Sequence, residues 1–270
     1  MFYQLLSATP VEQFSNVGFI VISISATFII FCLVFFIATW SSDNNLPVTT
    51  IQSLAAAYGN IGYLGPPLAI AAFGPAAGVP IALIFCFENA MHFTLAPLLM
   101  ALDDDQHESV WALTKGILYK IFSHPFILAT IAGVLASVFA YKPPTIAQHF
   151  LDLLAQTAGP CALFTMGVTA ALRPLKRIPV ELSYIVPFKL VIHPLLAYGL
   201  LQWLVPNLDP VWLYSAVLLA SLPTATNVFV IAQQYGVWQE RASSAVVIST
   251  LFSMLTVTGF IYLVRTGWFE

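Results

Sequence analysis

The chain has 270 residues, of which 59% are hydrophobic and only 8% are charged, and its formal net charge is −3. Soluble globular domains carry about a quarter charged residues, so this composition excludes a soluble fold and indicates a protein embedded in a lipid bilayer. The nine lysines and arginines are scattered without a basic face, which argues against a nucleic-acid-binding protein. The three cysteines lie in apolar runs and match no disulfide, zinc or haem pattern, so we expect no metal and no cofactor.

Eight apolar stretches are long enough to cross the hydrocarbon core of a bilayer, which takes about 20 helical residues. Short connections with charges and turn residues separate these stretches, so sequential helices are expected to be antiparallel neighbours. The predicted fold class is therefore an all-α membrane protein with eight transmembrane helices. The predicted spans are 16–40, 48–73, 76–102, 115–141, 147–172, 182–205, 211–235 and 239–264.

The distribution of lysine and arginine between the connections predicts the orientation of the chain. With eight alternating spans, six basic residues fall on one side of the membrane and two on the other. Because basic residues concentrate in cytoplasmic loops, the first side is predicted to be cytoplasmic and the C-terminus external. The first group is Lys115, Lys120, Arg173, Lys176, Arg177 and Arg241, and the second is Lys142 and Arg265.

Two predicted spans carry helix-breaking residues near their middles and end alike. The span 48–73 contains two consecutive prolines and is followed by Gly74, whereas the span 211–235 contains one proline and is followed by Gly236. These two glycines are 162 positions apart (236 − 74 = 162), and the same offset carries the span 76–102 onto the last span. Five helices lie in one period, an odd number, so the two copies are predicted to form an inverted repeat, as in many transporters.

The inverted repeat predicts how the chain is divided. Residues 1–102 form a first repeat that lacks its first helix and most of its second, 103–114 form a cytoplasmic linker, and 115–270 form a second repeat. We therefore expect an intact relative to have ten helices, five in each copy, and this chain to be truncated at its N-terminus. The alternative is a genuine eight-helix protein whose symmetry arises by chance.

The broken spans predict a substrate site at the middle of the bilayer. Proline removes a backbone donor, and unpaired backbone groups persist in a membrane only beside protein or a water-filled cavity. The half-helix after a break presents a positive end that suits an anion, and the half-helix before it presents carbonyl oxygens that suit a cation. The predicted substrate-binding residues are Asn60, Gly62, Pro66, Pro67, Pro223, Thr224, Thr226 and Asn227.

Ionisable residues within spans are rare and usually face the protein interior. Glu88 and His92 lie four residues apart on the third span, and Lys189 and His193 have the same spacing on the sixth. We predict that Glu88, His92 and Lys189 couple transport to an ion or proton gradient, with Glu88 and Lys189 as a pair. A proton relay through Glu88 and His92 is one hypothesis, and a structural ion pair is the other. His124 and His193 are interpreted as structural.

Taken together, these motifs resemble the auxin efflux carrier (AEC) family, bacterial permeases that include relatives of the plant auxin exporters. The resemblance lies in residues 59–67, 159–167 and 222–227, and in Lys189 with His193. It implies a ten-helix, five-plus-five inverted repeat with external termini, whose two broken helices cross near Pro66-Pro67 and Pro223. It also implies small organic anions as substrates, such as dicarboxylates or auxin-like acids, driven by proton or ion gradients, and a location in the inner (plasma) membrane of a bacterium.

The predicted function is therefore that of a secondary transporter, a permease that moves a small organic anion across the cytoplasmic membrane. The alternative is a truncated, transport-inactive or regulatory membrane subunit of the same fold. A membrane enzyme is a weaker hypothesis, because the acidic run 103–105 is best interpreted as a solvated linker and no catalytic residues are predicted. The oligomeric state is left open, with a homodimer as one option.

Overall fold

A computed structural model describes residues 2–7, 16–42, 44–103, 110–123, 125–172 and 178–266. These residues are predominantly helical. A short 3₁₀ turn (Pro75–Ala77) precedes α5, and a π-helical turn (Phe188–Ile192) joins α9 to α10. The helices are α1 (Phe2–Ser7), α2 (Val17–Ser41), α3 (Leu46–Ala57), α4 (Ile61–Phe73), α5 (Gly78–Ala101), α6 (Val110–Phe122), α7 (Pro125–Val138), α8 (Thr145–Leu172), α9 (Leu182–Pro187), α10 (His193–Leu204), α11 (Pro210–Ala220), α12 (Thr226–Gln234) and α13 (Gln239–Arg265).

Polar side chains fix the starts of several helices. Asn16, Asn45 and Asp209 precede α2, α3 and α11, and each accepts a hydrogen bond from a backbone N–H of the first turn. Such caps satisfy donors that have no partner within the helix. Pro210 occupies the first position of α11, where the missing N–H costs nothing. These helix starts therefore follow directly from local sequence.

Four segments within the described residues are long and apolar enough to cross a bilayer by length and composition. They are Val17–Ser41, Pro75–Ala101, Leu182–Leu204 and Gln239–Arg265. Their outward faces carry large apolar side chains, such as Trp40 (91% exposed), Leu195 (65%) and Leu255 (75%). A surface of this kind is stable against lipid and would be costly in water.

Three of the predicted spans are each divided into two helices within the described residues. The spans 48–73 and 211–235 are each divided into two helices, α3 with α4 and α11 with α12. The span 115–141 is also divided, into α6 and α7, whereas α8 continues past Pro160 as one helix. The predictions for Asp104, Asp105, His124 and the loop 173–177 lie outside the described residues.

The buried apolar residues form two main clusters, and each contains halves of both divided spans. One cluster contains residues of α4 and α11, and the other contains residues of α3 and α12. The divided spans therefore cross, so that each half-helix packs beside a half of the other span. Representative members are Ile61, Ala69, Leu218 and Leu219 in the first cluster, and Leu54, Ala57, Val228 and Ile231 in the second.

Candidate functional site

The two divided spans meet at their breaks. Gly59 and Thr224 form an isolated antiparallel bridge. The backbone N–H of Asn60 donates to the carbonyl of Pro223 at 2.8 Å, and the N–H of Ala225 donates to the carbonyl of Tyr58 at 2.8 Å. Each break thus satisfies backbone groups of the other, which removes much of the cost of interrupting a helix in an apolar environment.

The first break lies at residues 58–60, so the prediction that it lies at Pro66-Pro67 is wrong. Both prolines are inside α4, which begins at Ile61. The physical reason is that the extended segment 58–60 obtains its hydrogen bonds from the other span, whereas each proline removes only one N–H from the helix. The second break lies between α11 and α12 and contains Pro223, as predicted.

Close packing at the first break depends on Gly59. A Cβ atom placed there would lie 3.2 Å from the carbonyl oxygen of Leu219 and 3.2 Å from Nζ of Lys189. Both distances are tighter than ordinary van der Waals contact. Glycine at this position therefore lets the end of α11 and the lysine head group approach the crossing.

Thr224 is held by contacts within the protein. Its hydroxyl donates to the carbonyl of Ala55 at 2.7 Å, and its N–H donates to the hydroxyl of Ser249 at 3.1 Å. Ala55 belongs to the last turn of α3, whose carbonyls have no helical partner. Thr224 therefore connects the second break to the end of the first half-helix.

A small cavity of about 60 Å³ lies at the crossing. Three of the predicted substrate-binding residues, Asn60, Gly62 and Asn227, line it. The first residues of α4 and α12 begin here, and Asn60 makes no side-chain cap to α4. Two helix N-termini thus adjoin one cavity, and both favour negative charge. The full lining is Tyr58, Gly59, Asn60, Ile61, Gly62, Tyr63, Phe85, Ala225 and Asn227.

Pro66 and Pro67 affect this cavity indirectly. A proline cannot donate to the carbonyl four residues earlier, so α4 supplies no such bond to the carbonyls of Gly62 and Tyr63. Gly62 and Tyr63 both line the cavity. The prolines therefore leave acceptor capacity in the first turns of α4, next to the cavity.

Lys189 is fully buried, with no exposed surface, on the π-helical turn. Its Nζ donates to the carbonyl of Ala220 at 2.9 Å, at the C-terminal end of α11, and lies 3.0 Å from Nδ1 of His193. A positive group at a helix C-terminus is favourable. π-helical turns are rare and are frequent at functional sites, because the extra residue redirects side chains.

Glu88 belongs to the same buried network as Lys189, through two intermediate side chains. The hydroxyl of Thr27 donates to Oε1 of Glu88 at 2.7 Å and lies 3.1 Å from Nε2 of His193. Because that hydroxyl gives its one proton to Glu88, we assign neutral His193 the tautomer in which Nε2 donates to Thr27 and Nδ1 accepts from Lys189. The four side chains therefore form a chain of hydrogen bonds that donate in one direction, from Lys189 to Glu88.

His92 lies outside this chain. Its ring is fully buried and stacks on Tyr58, with ring centroids 4.2 Å apart, and neither ring nitrogen has a hydrogen-bond partner. Tyr58 donates its hydroxyl proton to Oδ1 of Asn89 and accepts from Nδ2 of Asn227 at 2.8 Å. The predicted relay partners Glu88 and His92 thus contact different groups.

Sequence reasoning missed Thr27 and Tyr58 and assigned His193 a structural role. Thr27 is a single hydroxyl within a long apolar helix, so no pattern distinguishes it from a packing residue. Tyr58 could have been found, because it immediately precedes the motif 59–67. His193 could have been found from its spacing, since it follows Lys189 by one helical turn.

An apolar helical bundle with a small polar cavity, where two interrupted helices cross, is typical of membrane transporters. Sequence comparison places the chain in the same class. A family model described as "Membrane transport protein" matches residues 1–261. The chain belongs to this family, the auxin efflux carrier family that its motifs resemble.

Two relatives are transporters by name. A "Putative malonate transporter" of Rhizobium meliloti (strain 1021) is 55% identical over 267 residues, which cover 99% of this chain and 83% of the relative. An "Uncharacterized transporter" of Methanothermobacter thermautotrophicus is 26% identical over 205 residues, which cover 76% of this chain and 65% of the relative. The chain is therefore an integral membrane transport protein and not an enzyme, as predicted.

Proposed function

We propose that this protein is a secondary transporter of a small organic anion, and that the anion is a dicarboxylate such as malonate. The observation that carries the proposal is that the N-terminal ends of α4 and α12 adjoin one small cavity. Each end can hold one carboxylate through backbone N–H groups and the helix dipole. The name of the relative with 55% identity supports a three-carbon dicarboxylate in particular.

The proposed binding residues divide between the two broken helices. Asn60 and Gly62 would bind one carboxylate at the start of α4, and Thr226 and Asn227 would bind the other at the start of α12. Pro223 and Thr224 would shape the second break, while Pro66 and Pro67 would leave acceptors in α4. Each helix end contributes about 0.3–1 kcal/mol at an exposed position and up to about 2 kcal/mol when it is partly buried. Two such ends suit weak, reversible binding.

The proposed coupling device is the hydrogen-bonded chain that joins Lys189 to Glu88. Lys189 contacts the end of α11 at the crossing, and Glu88 lies on α5. A proton that enters or leaves this chain would alter the charge beside the anion cavity. His92, with two unpartnered nitrogens against Tyr58, remains a proposed member of the coupling group.

The positions of the helices support an inverted repeat. Val17 and Leu182 begin α2 and α9 at an offset of 165 (182 − 17 = 165), and Ile61 and Thr226 begin α4 and α12 at the same offset (226 − 61 = 165). Residues 1–102 and 115–270 would be the two repeats, joined by the linker 103–114. In this arrangement the bridge between Gly59 and Thr224 would lie on the pseudo-twofold axis, because these residues differ by 165 as well.

Uptake of labelled malonate into proteoliposomes, with and without a pH gradient, tests the function. Asn60→Ala and Asn227→Ala should each reduce uptake by at least tenfold while leaving the amount of folded protein unchanged. Gln202→Ala removes an exposed amide from the end of α10 and serves as the matched control. Normal uptake in both asparagine variants would refute the site. No uptake by the unaltered chain would favour the alternative of a transport-inactive subunit.

A further inference from the structure

The hydroxyl of Tyr58 connects three elements around the crossing. Tyr58 itself follows α3, its proton is donated to Asn89 on α5, and its oxygen accepts from Nδ2 of Asn227 on α12. Asn89 is fixed in turn, because its Nδ2 donates to the carbonyl of Phe85 at 2.7 Å. The three side chains form a hydrogen-bonded group in which Tyr58 and Asn89 are buried and Asn227 is half-buried.

Asn227 lines two cavities. One is the crossing cavity of about 60 Å³, and the other is a cavity of about 200 Å³ between α5 and α12. The larger cavity extends along α12 toward Gln234, which is exposed near the start of α13. The side chain of Asn227, held by Tyr58, is therefore shared by the crossing cavity and the larger cavity along α12.

We propose that the hydrogen bond between Tyr58 and Asn227 is a latch that closes the anion cavity on the side of Arg241. This inference rests on the proposed function, because it assigns the crossing cavity to the transported anion. Tyr58 is a positioning residue: it holds the amide of Asn227 across the passage between the two cavities. When the bond breaks, Asn227 is free to turn and the two cavities join.

Tyr58 is packed more tightly than its partner Asn227. Its ring is stacked on His92, its carbonyl accepts from Ala225 in the bridge, and its side chain is 2% exposed. Asn227 is only half-buried and lies at the start of the nine-residue helix α12. The latch therefore opens through Asn227 or α12, while Tyr58 stays in place.

Cysteine accessibility tests the latch. Cys32, Cys86 and Cys161 are replaced by serine, and Ala225→Cys introduces a thiol in the crossing cavity. A membrane-impermeant thiol reagent is applied to vesicles of each orientation, without malonate. Tyr58→Phe retains the stacked ring and removes the hydroxyl. The introduced thiol should then be labelled from the Arg241 side about three- to tenfold faster than in the protein that keeps Tyr58, which is the change expected for the loss of one net hydrogen bond.

Tyr262→Phe is the matched control, because Tyr262 is 66% exposed on α13. It should label at the rate of the parent. Asn227→Leu removes the other partner of the hydrogen bond at similar side-chain size and should give the same faster labelling. This second variant keeps the test decisive if the Tyr58→Phe protein accumulates poorly in the membrane. Unchanged labelling in the Tyr58 and Asn227 variants would overturn the latch.

The latch and the proposed function fail separately. Labelling is measured without substrate, so absence of malonate uptake by the unaltered chain would refute the function without altering the labelling result. Malonate uptake by the unaltered chain, combined with equal labelling of parent and Tyr58→Phe, would refute the latch alone.

Discussion

At the scale of single residues, the hydroxyl of Thr27 is the connecting atom of the chain from Lys189 to Glu88. It is fully buried between the carboxylate of Glu88 and the imidazole of His193, and it is the one atom that links them. Thr27→Val keeps the shape of the side chain and removes this link. Each buried polar atom left without a partner costs about 1–3 kcal/mol, so the variant should be less stable by about that amount or more.

Thr94→Val is the control for this prediction, because the hydroxyl of Thr94 donates to the carbonyl of Ala90 within its own helix. Thermal unfolding of the purified protein in detergent should show a clear decrease for Thr27→Val and little change for Thr94→Val. Stimulation of malonate uptake by a pH gradient should also fall in Thr27→Val. Equal thermal stability of the two variants would mean that the chain from Lys189 to Glu88 contributes nothing to the fold.

At the scale of helices, sequence predicted the existence of two interrupted spans but placed one interruption incorrectly. Prolines are visible in sequence, whereas the segment 58–60 is held open by backbone bonds to residues 223 and 225. Those bonds join positions about 165 residues apart, and no local pattern contains them. The same limit explains Thr27, whose partners lie 61 and 166 positions away. Caps such as Asp209 are local and were accessible to sequence reasoning.

The prolines of α4 give a prediction at the same scale. Changing both Pro66 and Pro67 to alanine would restore N–H donors to the carbonyls of Gly62 and Tyr63 and complete the helix. Because proline in a helix interior costs about 3 kcal/mol, the double variant should unfold at a higher temperature. Uptake of malonate should decrease, since Gly62 and Tyr63 line the crossing cavity and the restored bonds would change the shape of this turn of α4.

Pro210→Ala is the control for the double variant, because Pro210 is at the first position of α11, where no helical bond is lost. It should leave the unfolding temperature nearly unchanged and alter uptake by less than about twofold. If the double variant is more stable and transports normally, the prolines act on the helix alone and have no part in the anion site.

At the scale of the whole molecule, the two polar networks lie on either side of one crossing. The chain from Lys189 to Glu88 contacts the C-terminal end of α11, whereas the group around Tyr58 contacts the N-terminal end of α12. The sequence indicated Glu88 and Lys189 as buried charges and Asn227 as a residue of a break, but it indicated neither Thr27 nor Tyr58. It did not indicate that the two networks converge, because convergence depends on the packing of α2, α5 and α10 around the broken helices.

The charges of the molecule predict its orientation, and this prediction can be tested directly. Arg241 and Arg265 lie near opposite ends of α13, whose 27 residues span about 40 Å, enough to cross a bilayer. The basic residues near the Arg241 side predict that this side is cytoplasmic, so the C-terminus should be external. Alkaline phosphatase fused after Glu270 should be active in cells, while green fluorescent protein at that position should be dark.

The control uses the same reporters fused after Asp103, in the predicted cytoplasmic linker. There the phosphatase should be inactive and the fluorescent protein bright. A bright fluorescent protein after Glu270, with an active phosphatase after Asp103, would reverse the predicted orientation and place the proposed latch on the external side.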